Sequence, residues 1–169
     1  MCLTSLLPRA KVDGMQASVP YALLRVYLDV CALCRPFDDQ RQVRIRLETI
    51  AVELILAHVR QGKFELIVSP AHQIEIVAID EAEERQQLLL LLKQFGISFQ
   101  FDLPVVRKRA EELAALGIGV ADAAHLAFAE AAQAEFITVD DRLLKRCHRL
   151  KPAVWYGTPL AYCEKENLR

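Results

Sequence analysis

Apolar residues recur along this chain in two rhythms, short and nearly continuous runs and longer stretches with an apolar residue every third or fourth position. Leu23-Leu24-Arg25-Val26-Tyr27-Leu28 is a run of the first kind and predicts a buried strand ending at Asp29. Pro36 and Asp38-Asp39 mark a loop. Val43, Leu47, Ile50, Leu54 and Ala57 then share a helical face, which predicts a helix over 43–59 that Gly62 stops. Phe64–Val68 predicts a second strand. Ser69-Pro70 opens a helix that runs through Glu75 to about Ala78, since Ser caps well and Pro suits the first helical position. Ala82–Phe95 predicts a helix ended by Gly96, and Ile97–Phe101 a short strand. Pro104 opens a helix that ends near Gly117.

The remaining third continues the alternation. Ala121–Ala132 predicts an alanine-rich helix, and Phe136-Ile137-Thr138-Val139 a strand that runs straight into Asp140-Asp141. Leu143–Arg149 predicts a short basic helix, Val154-Trp155-Tyr156 a final strand, and Thr158-Pro159 a last helix start. Strands alternating with helices predict a layered α/β fold around a mostly parallel sheet. Residues 1–22 contain Pro8, Gly14 and Pro20 and show no sustained period. They are expected to form a poorly ordered N-terminal extension, with residues 23–169 as one domain.

Composition narrows the class. With 53% hydrophobic and 25% charged residues the chain has enough apolar material for a core, which excludes disorder. The longest pure apolar stretch, Leu88 to Leu92, falls far short of the roughly 20 residues that span a bilayer. A soluble protein with no membrane partner is expected. The net charge of −1, from 21 Lys+Arg against 22 Asp+Glu, lacks the basic excess of a constitutive nucleic-acid binder. The five cysteines, Cys2, Cys31, Cys34, Cys147 and Cys163, are odd in number and scattered, which does not read as a disulfide framework. A reducing, cytoplasmic setting is expected. The uncharged Met1–Pro8 stretch before Arg9 and Lys11 lacks the basic-then-apolar order of a signal peptide.

Parallel sheets place their chemistry at the carboxyl ends of strands. Asp29 follows the first predicted strand and Asp140 follows the strand ending at Val139. Glu75 lies on the helix after the second strand, and Asp122 opens the alanine-rich helix. Taken singly, an Asp at a strand end is a cap or turn residue. A group of carboxylates in one place repels itself, and the repulsion is relieved by a hard divalent cation such as Mg²⁺ or Mn²⁺, which prefers oxygen ligands.

Four segments, in order and spacing, resemble the PIN-domain family. Val26-Tyr27-Leu28-Asp29 looks like the family's first strand and first Asp. Ser69-Pro70-Ala71-His72-Gln73-Ile74-Glu75-Ile76 is similar to its Ser-to-Glu helix. Ala121-Asp122-Ala123-Ala124-His125-Leu126-Ala127-Phe128-Ala129 resembles its Asp-Ala helix, and Thr138-Val139-Asp140-Asp141-Arg142-Leu143 its late Thr-x-Asp turn. The match spans roughly residues 25–157. The resemblance implies a three-layer α/β/α fold and Mg²⁺- or Mn²⁺-dependent hydrolysis of RNA. It makes Asp29, Glu75, Asp122 and Asp140 the expected metal-binding and catalytic residues, with Asp141 an adjacent candidate and Thr138 a support for the turn. Many bacterial members of the family are toxins neutralised by a small antitoxin. The family pattern carries an Asn or Ser a few residues after the first Asp, where this chain has Cys31 to Cys34.

Other residues read more simply. Cys31-Ala-Leu-Cys34 has zinc spacing but no second ligand pair. His125, three residues after Asp122 on the same helical face, reads as a satisfied, partly buried histidine. Gly117-Ile-Gly119 lacks the third glycine and the preceding strand of a phosphate loop. Lys145, Arg146, Arg149 and Lys151 read as a solvated face or as a contact to an RNA backbone. Apolar runs on the helices Val43–His58 and Leu88–Phe95 suggest a homodimer or a small protein partner. Two functions fit these observations, a metal-dependent endoribonuclease and a catalytically weak PIN-like module that binds RNA or protein.

Overall fold

The apolar run at Val26-Tyr27-Leu28 makes the central strand of the sheet. All three residues are fully buried, with Val26 and Leu28 packed into one apolar layer and Tyr27 into the other. A strand covered on both faces is the expected signature of a parallel sheet between helices. The computed structural model describes residues 23–169, so the expected extension over residues 1–22 lies outside the described residues.

Five strands, β1 (Leu24–Leu28), β2 (Phe64–Val68), β3 (Gly96–Ser98), β4 (Glu135–Ile137) and β5 (Tyr156–Gly157), form one sheet in the order β3-β2-β1-β4-β5. Every neighbouring pair is parallel, so the sheet is wholly rather than mostly parallel. Eight helices connect and flank the strands. These are α1 (Val30–Leu33), α2 (Val43–Arg60), α3 (Pro70–Val77), α4 (Ala82–Phe95), α5 (Leu103–Ala115), α6 (Val120–Ala131), α7 (Asp141–Leu150) and α8 (Pro159–Lys165). Val52 and Ile55 of α2, Ile76 of α3, Leu88 of α4 and Tyr162 of α8 pack with Val26, Leu28 and Leu66 on one face of the sheet. Val106 and Leu113 of α5, Leu126 and Phe128 of α6 and Leu143 of α7 pack with Tyr27, Ile67 and Phe136 on the other. The result is the three-layer α/β/α arrangement expected.

Several elements differ from expectation. β4 ends at Ile137 rather than Val139, and residues 30–37, for which periodicity gave no element and Pro36 marked a loop, hold α1 and a 3₁₀ turn over Arg35–Phe37. Val30, Ala32 and Leu33 are buried there, so tertiary packing makes a helix too short to show a period. β3 stops at Ser98 because Phe99 and Phe101 leave the sheet, with Phe101 set 4.8 Å from the Phe128 ring. The last strand covers Tyr156–Gly157 rather than Val154–Tyr156. Two glycines act as read. Gly62, just past α2, has φ of +70°, a left-handed conformation that favours glycine and ends the helix. A Cβ at Gly96 would collide with Val68 Cγ2 and the Leu92 carbonyl, so only glycine lets α4 turn straight into β3.

Candidate metal centre

The strand order sets where a site can form. The chain builds outward from β1 through β2 to β3, then returns to lay β4 on the other side of β1. Such a reversal opens a crevice beyond the carboxyl ends of the two diverging strands. Asp29 leaves the end of β1 and its backbone N–H donates to the Ile137 carbonyl of β4 at 2.9 Å. Thr138 and Asp140 leave the end of β4. Both carboxylates expected at strand ends therefore flank this crevice.

Asp29 is 4% exposed and is held by two side chains. The Thr138 hydroxyl donates to its Oδ2 at 2.8 Å, and the Cys31 thiol donates to the same oxygen at 3.1 Å. Thr138 in turn accepts the Asp140 N–H at 3.2 Å. Thr138 thus does more than support the turn, because it links the loops leaving β1 and β4. Cys31 is the first of the positions, Cys31 to Cys34, where the resemblance expected an Asn or Ser, and it supplies a donor to Asp29. Burial and the Asp29 charge push its thiol well above the ordinary range, so it stays protonated and can donate. No zinc-type cluster forms around Cys31 and Cys34 among the described residues.

Glu75 reaches the crevice from α3, whose first turn is fixed by Ser69. The Ser69 N–H donates to His72 Nδ1 at 3.1 Å, closing the first turn in the manner of a capping box. One carboxylate oxygen of Glu75, Oε2, lies 2.7 Å from His125 Nε2 of α6. This hydrogen bond lowers the Glu75 pKa more than burial raises it, so Glu75 is ionised. The other ring nitrogen, His125 Nδ1, lies 2.8 Å from the Tyr27 hydroxyl, which is 2.6 Å from Ser69 Oγ. His125 is indeed buried and satisfied, as its sequence position suggested, and its partner is Glu75. Asp29, Glu75 and His125 each present a ligand atom, and these atoms lie within 4.8 Å of one another.

Asp122 and Asp140 lie outside that trio, and Asp122 feels its charge. Burial raises the Asp122 pKa, and the charges of Asp29, Asp140 and Glu75 raise it further. Asp140 caps α7, where its Oδ1 accepts the Arg142 N–H at 2.6 Å and the Leu143 N–H at 3.1 Å. Asp141 is differently placed. Both its oxygens accept from Arg44, at 2.6 and 2.8 Å, and this guanidinium holds the Asp141 pKa low. Its carboxylate is thus committed to a cation of the protein itself.

The free oxygens form a pattern. Asp29, Glu75 and Asp140 each have one oxygen anchored by the bonds above and a second with no donor, and Asp122 has no donor on either, among the described residues. No Lys or Arg forms an ion pair with any of the four among the described residues. Donor-free carboxylate oxygens are the kind of ligand that a hard divalent cation takes.

Residues 26–149 match the family model of the PIN domain. The crystal structure of FitAcB from Neisseria gonorrhoeae is similar in structure, with a TM-score of 0.49 and 16% identity over 80% of this chain and 98% of that one. No curated protein matches the sequence. The family match runs from the central strand to the helix capped by Asp140 and takes in all four carboxylates and His125, and on that span the chain belongs to the PIN-domain family.

Proposed function

We propose that this PIN-domain protein, a nuclease-family module, is an endoribonuclease that uses Mg²⁺ or Mn²⁺ held by Asp29, Glu75, Asp122 and Asp140. The observation that carries the reading is the close cluster of Asp29, Glu75 and His125 where the strand order reverses, with Asp122 near enough to feel the charges of Asp29, Asp140 and Glu75. A bound cation would stabilise charge on a phosphodiester and activate water for hydrolysis. The protein's own part is positional. Thr138 and Cys31 fix Asp29, the first turn of α7 fixes Asp140, and the anchored oxygen of each leaves the other turned to a ligand. Helix α7 begins at Asp140 and carries Arg142, Lys145 and Arg149 exposed along its length. That basic face gives an RNA backbone a path away from the acidic crevice and supports RNA as the substrate.

The direct test compares single-stranded RNA and DNA of matched sequence, each incubated with Mn²⁺ or with chelator. The proposal expects RNA to be cut in Mn²⁺ alone. Intact RNA, or cleavage that survives chelation, counts against it.

A protein partner is the second component of the reading. Val43, Leu47 and Ile50 of α2 are 60%, 45% and 55% exposed, and an apolar helix face left to solvent favours a covering surface. A second copy of the chain or a small antitoxin would provide it, and the same face supports the alternative of a module that binds RNA or protein with little catalysis. No helix among the described residues is long and apolar enough to cross a membrane. Light scattering at micromolar concentration checks the second copy, with a dimer mass expected and a clean monomer ruling it out.

A further inference from the structure

We propose that His125 is a positioning residue that holds Glu75 for the cation and is not itself a ligand. The inference rests on the reading of the acidic cluster as a metal site. It follows from counting protons along a buried chain of hydrogen bonds.

His72 fixes one end of that chain. Its Nε2 lies 2.8 Å from the Leu28 carbonyl, which only accepts, so Nε2 carries the hydrogen and Nδ1 is the acceptor. That Nδ1 already receives the Ser69 N–H at 3.1 Å. His72 Nδ1 has a single lone pair, already taken by the Ser69 N–H, so the Ser69 hydroxyl gives its proton to the Tyr27 oxygen at 2.6 Å rather than to Nδ1 at 3.2 Å. Tyr27 then donates its own proton to His125 Nδ1 at 2.8 Å. With Nδ1 accepting from Tyr27, the single ring hydrogen of His125 sits on Nε2, which donates it to Glu75 Oε2 at 2.7 Å.

Both ring nitrogens of His125 are therefore spent. Nε2 bears a proton and has no lone pair for a cation, and Nδ1 accepts from Tyr27. Releasing Nε2 for ligation would move the proton to Nδ1, reverse the Tyr27 and Ser69 bonds, and crowd two donors onto His72 Nδ1. The ring is 2% exposed and Tyr27 is fully buried, so water cannot make good the lost partners. The hydrogen bond that ties down Glu75 Oε2 leaves Oε1 without a donor among the described residues and fixes the carboxylate in an orientation that α3 alone does not set. Outer partners of this kind orient the groups that touch a metal. The same helix presents Asp122 one turn earlier, so α6 brings one free carboxylate and the anchor of another.

The test titrates Mn²⁺ into the full chain by calorimetry and records pulsed electron paramagnetic resonance of the bound ion. His125→Ala should bind Mn²⁺ about 10- to 100-fold more weakly, the usual cost of losing such a partner. His125→Gln, whose amide reaches the same oxygen, should recover most of the loss, and Tyr27→Phe should show a smaller weakening with the fold intact. Bound Mn²⁺ in the wild type should show no directly coordinated nitrogen. A coordinated-nitrogen signature, or wild-type affinity in a folded His125→Ala, overturns the positioning role while leaving the metal site standing. Failure of the wild type to take up Mn²⁺ overturns the metal reading itself, and the positioning role with it. The resonance measurement needs only the wild type, so it decides the question even where His125→Ala does not fold.

Discussion

Thr138→Val should be among the most costly single-atom-class changes in this protein, although it alters neither shape nor volume by much. Thr138 is fully buried and Asp29 is 4% exposed. The hydroxyl donates to Asp29 Oδ2 at 2.8 Å and accepts the Asp140 N–H at 3.2 Å. A hydrogen bond to a charged acceptor contributes about 1.5–3 kcal/mol, and an orphaned buried N–H adds about 1 kcal/mol. The Cys31 thiol remains as a second, weaker donor to the same oxygen at 3.1 Å. The expected loss is therefore about 2–4 kcal/mol, or roughly 5–15 °C in Tm for a chain of this size. Thr138→Ser, which keeps the hydroxyl and loses one methyl, should cost only about 1 kcal/mol. Urea unfolding without metal, followed by fluorescence of the single Trp155, measures both, since that ring packs 5.4 Å from Tyr162 in the core. If the Val variant proves no less stable than the Ser variant, the hydroxyl does not hold the two strand ends as argued.

Three further outcomes are expected. Glu48 is 2% exposed and accepts from Arg35 Nε at 2.6 Å and Arg44 Nε at 2.8 Å, so Glu48→Gln should cost about 1–2 kcal/mol in urea melts, discounted because Arg44 is half exposed; a neutral result would show that the pair of arginines needs no buried charge. Burial lowers the His72 pKa to about 4, so between the unfolded value near 6.5 and that value the unfolded chain binds the extra proton and stability falls as the pH falls. Melts in that window should show this loss in the wild type and much less of it in His72→Gln, and equal slopes would refute the assignment. Mn²⁺ at about 100 times its Kd should stabilise the wild type by about 2.7 kcal/mol. Because burial and, after it, the neighbouring carboxylates raise the Asp122 pKa, ionised Asp122 costs the metal-free fold stability above the ordinary carboxylate range; Asp122→Asn should thus raise the metal-free Tm and shrink the Mn²⁺ shift, and an unchanged shift would place the ion elsewhere.

Much of this fold was legible because periodicity and punctuation agreed. Phe64–Val68 and Ala82–Phe95 match their predicted bounds, the first as an apolar run interrupted only by Glu65 and the second as a helix stopped by Gly96. The end of β1 just before Asp29 was legible for the same reason, whereas β4 stops at Ile137, short of the Val139 that its apolar run suggested. Helix α1 was hidden because four residues cannot display a helical period and only burial against the sheet stabilises them. Contacts between distant segments were hidden as well. Tyr27 reads as one more apolar residue of a strand, yet its hydroxyl joins Ser69 to His125. His125 and Glu75 are 50 positions apart, and no local pattern pairs them. Cys31 breaks the family pattern in residue type while keeping a donor on Asp29, a substitution visible only once the thiol is seen 3.1 Å from the carboxylate.

The central claim is that donor-free carboxylate oxygens around Asp29 hold the cation that supports RNA hydrolysis. Single-turnover cleavage of a single-stranded RNA at saturating Mn²⁺, compared between the wild type and Asp29→Asn, tests it most directly. Asn keeps the size and the hydrogen-bonding reach of the side chain while removing the charge, so folding should survive and be verified by Tm. The account predicts a rate at least about 100-fold lower in Asp29→Asn, the scale set by losing about 2.7 kcal/mol of transition-state stabilisation. Equal rates in the two folded proteins would contradict it.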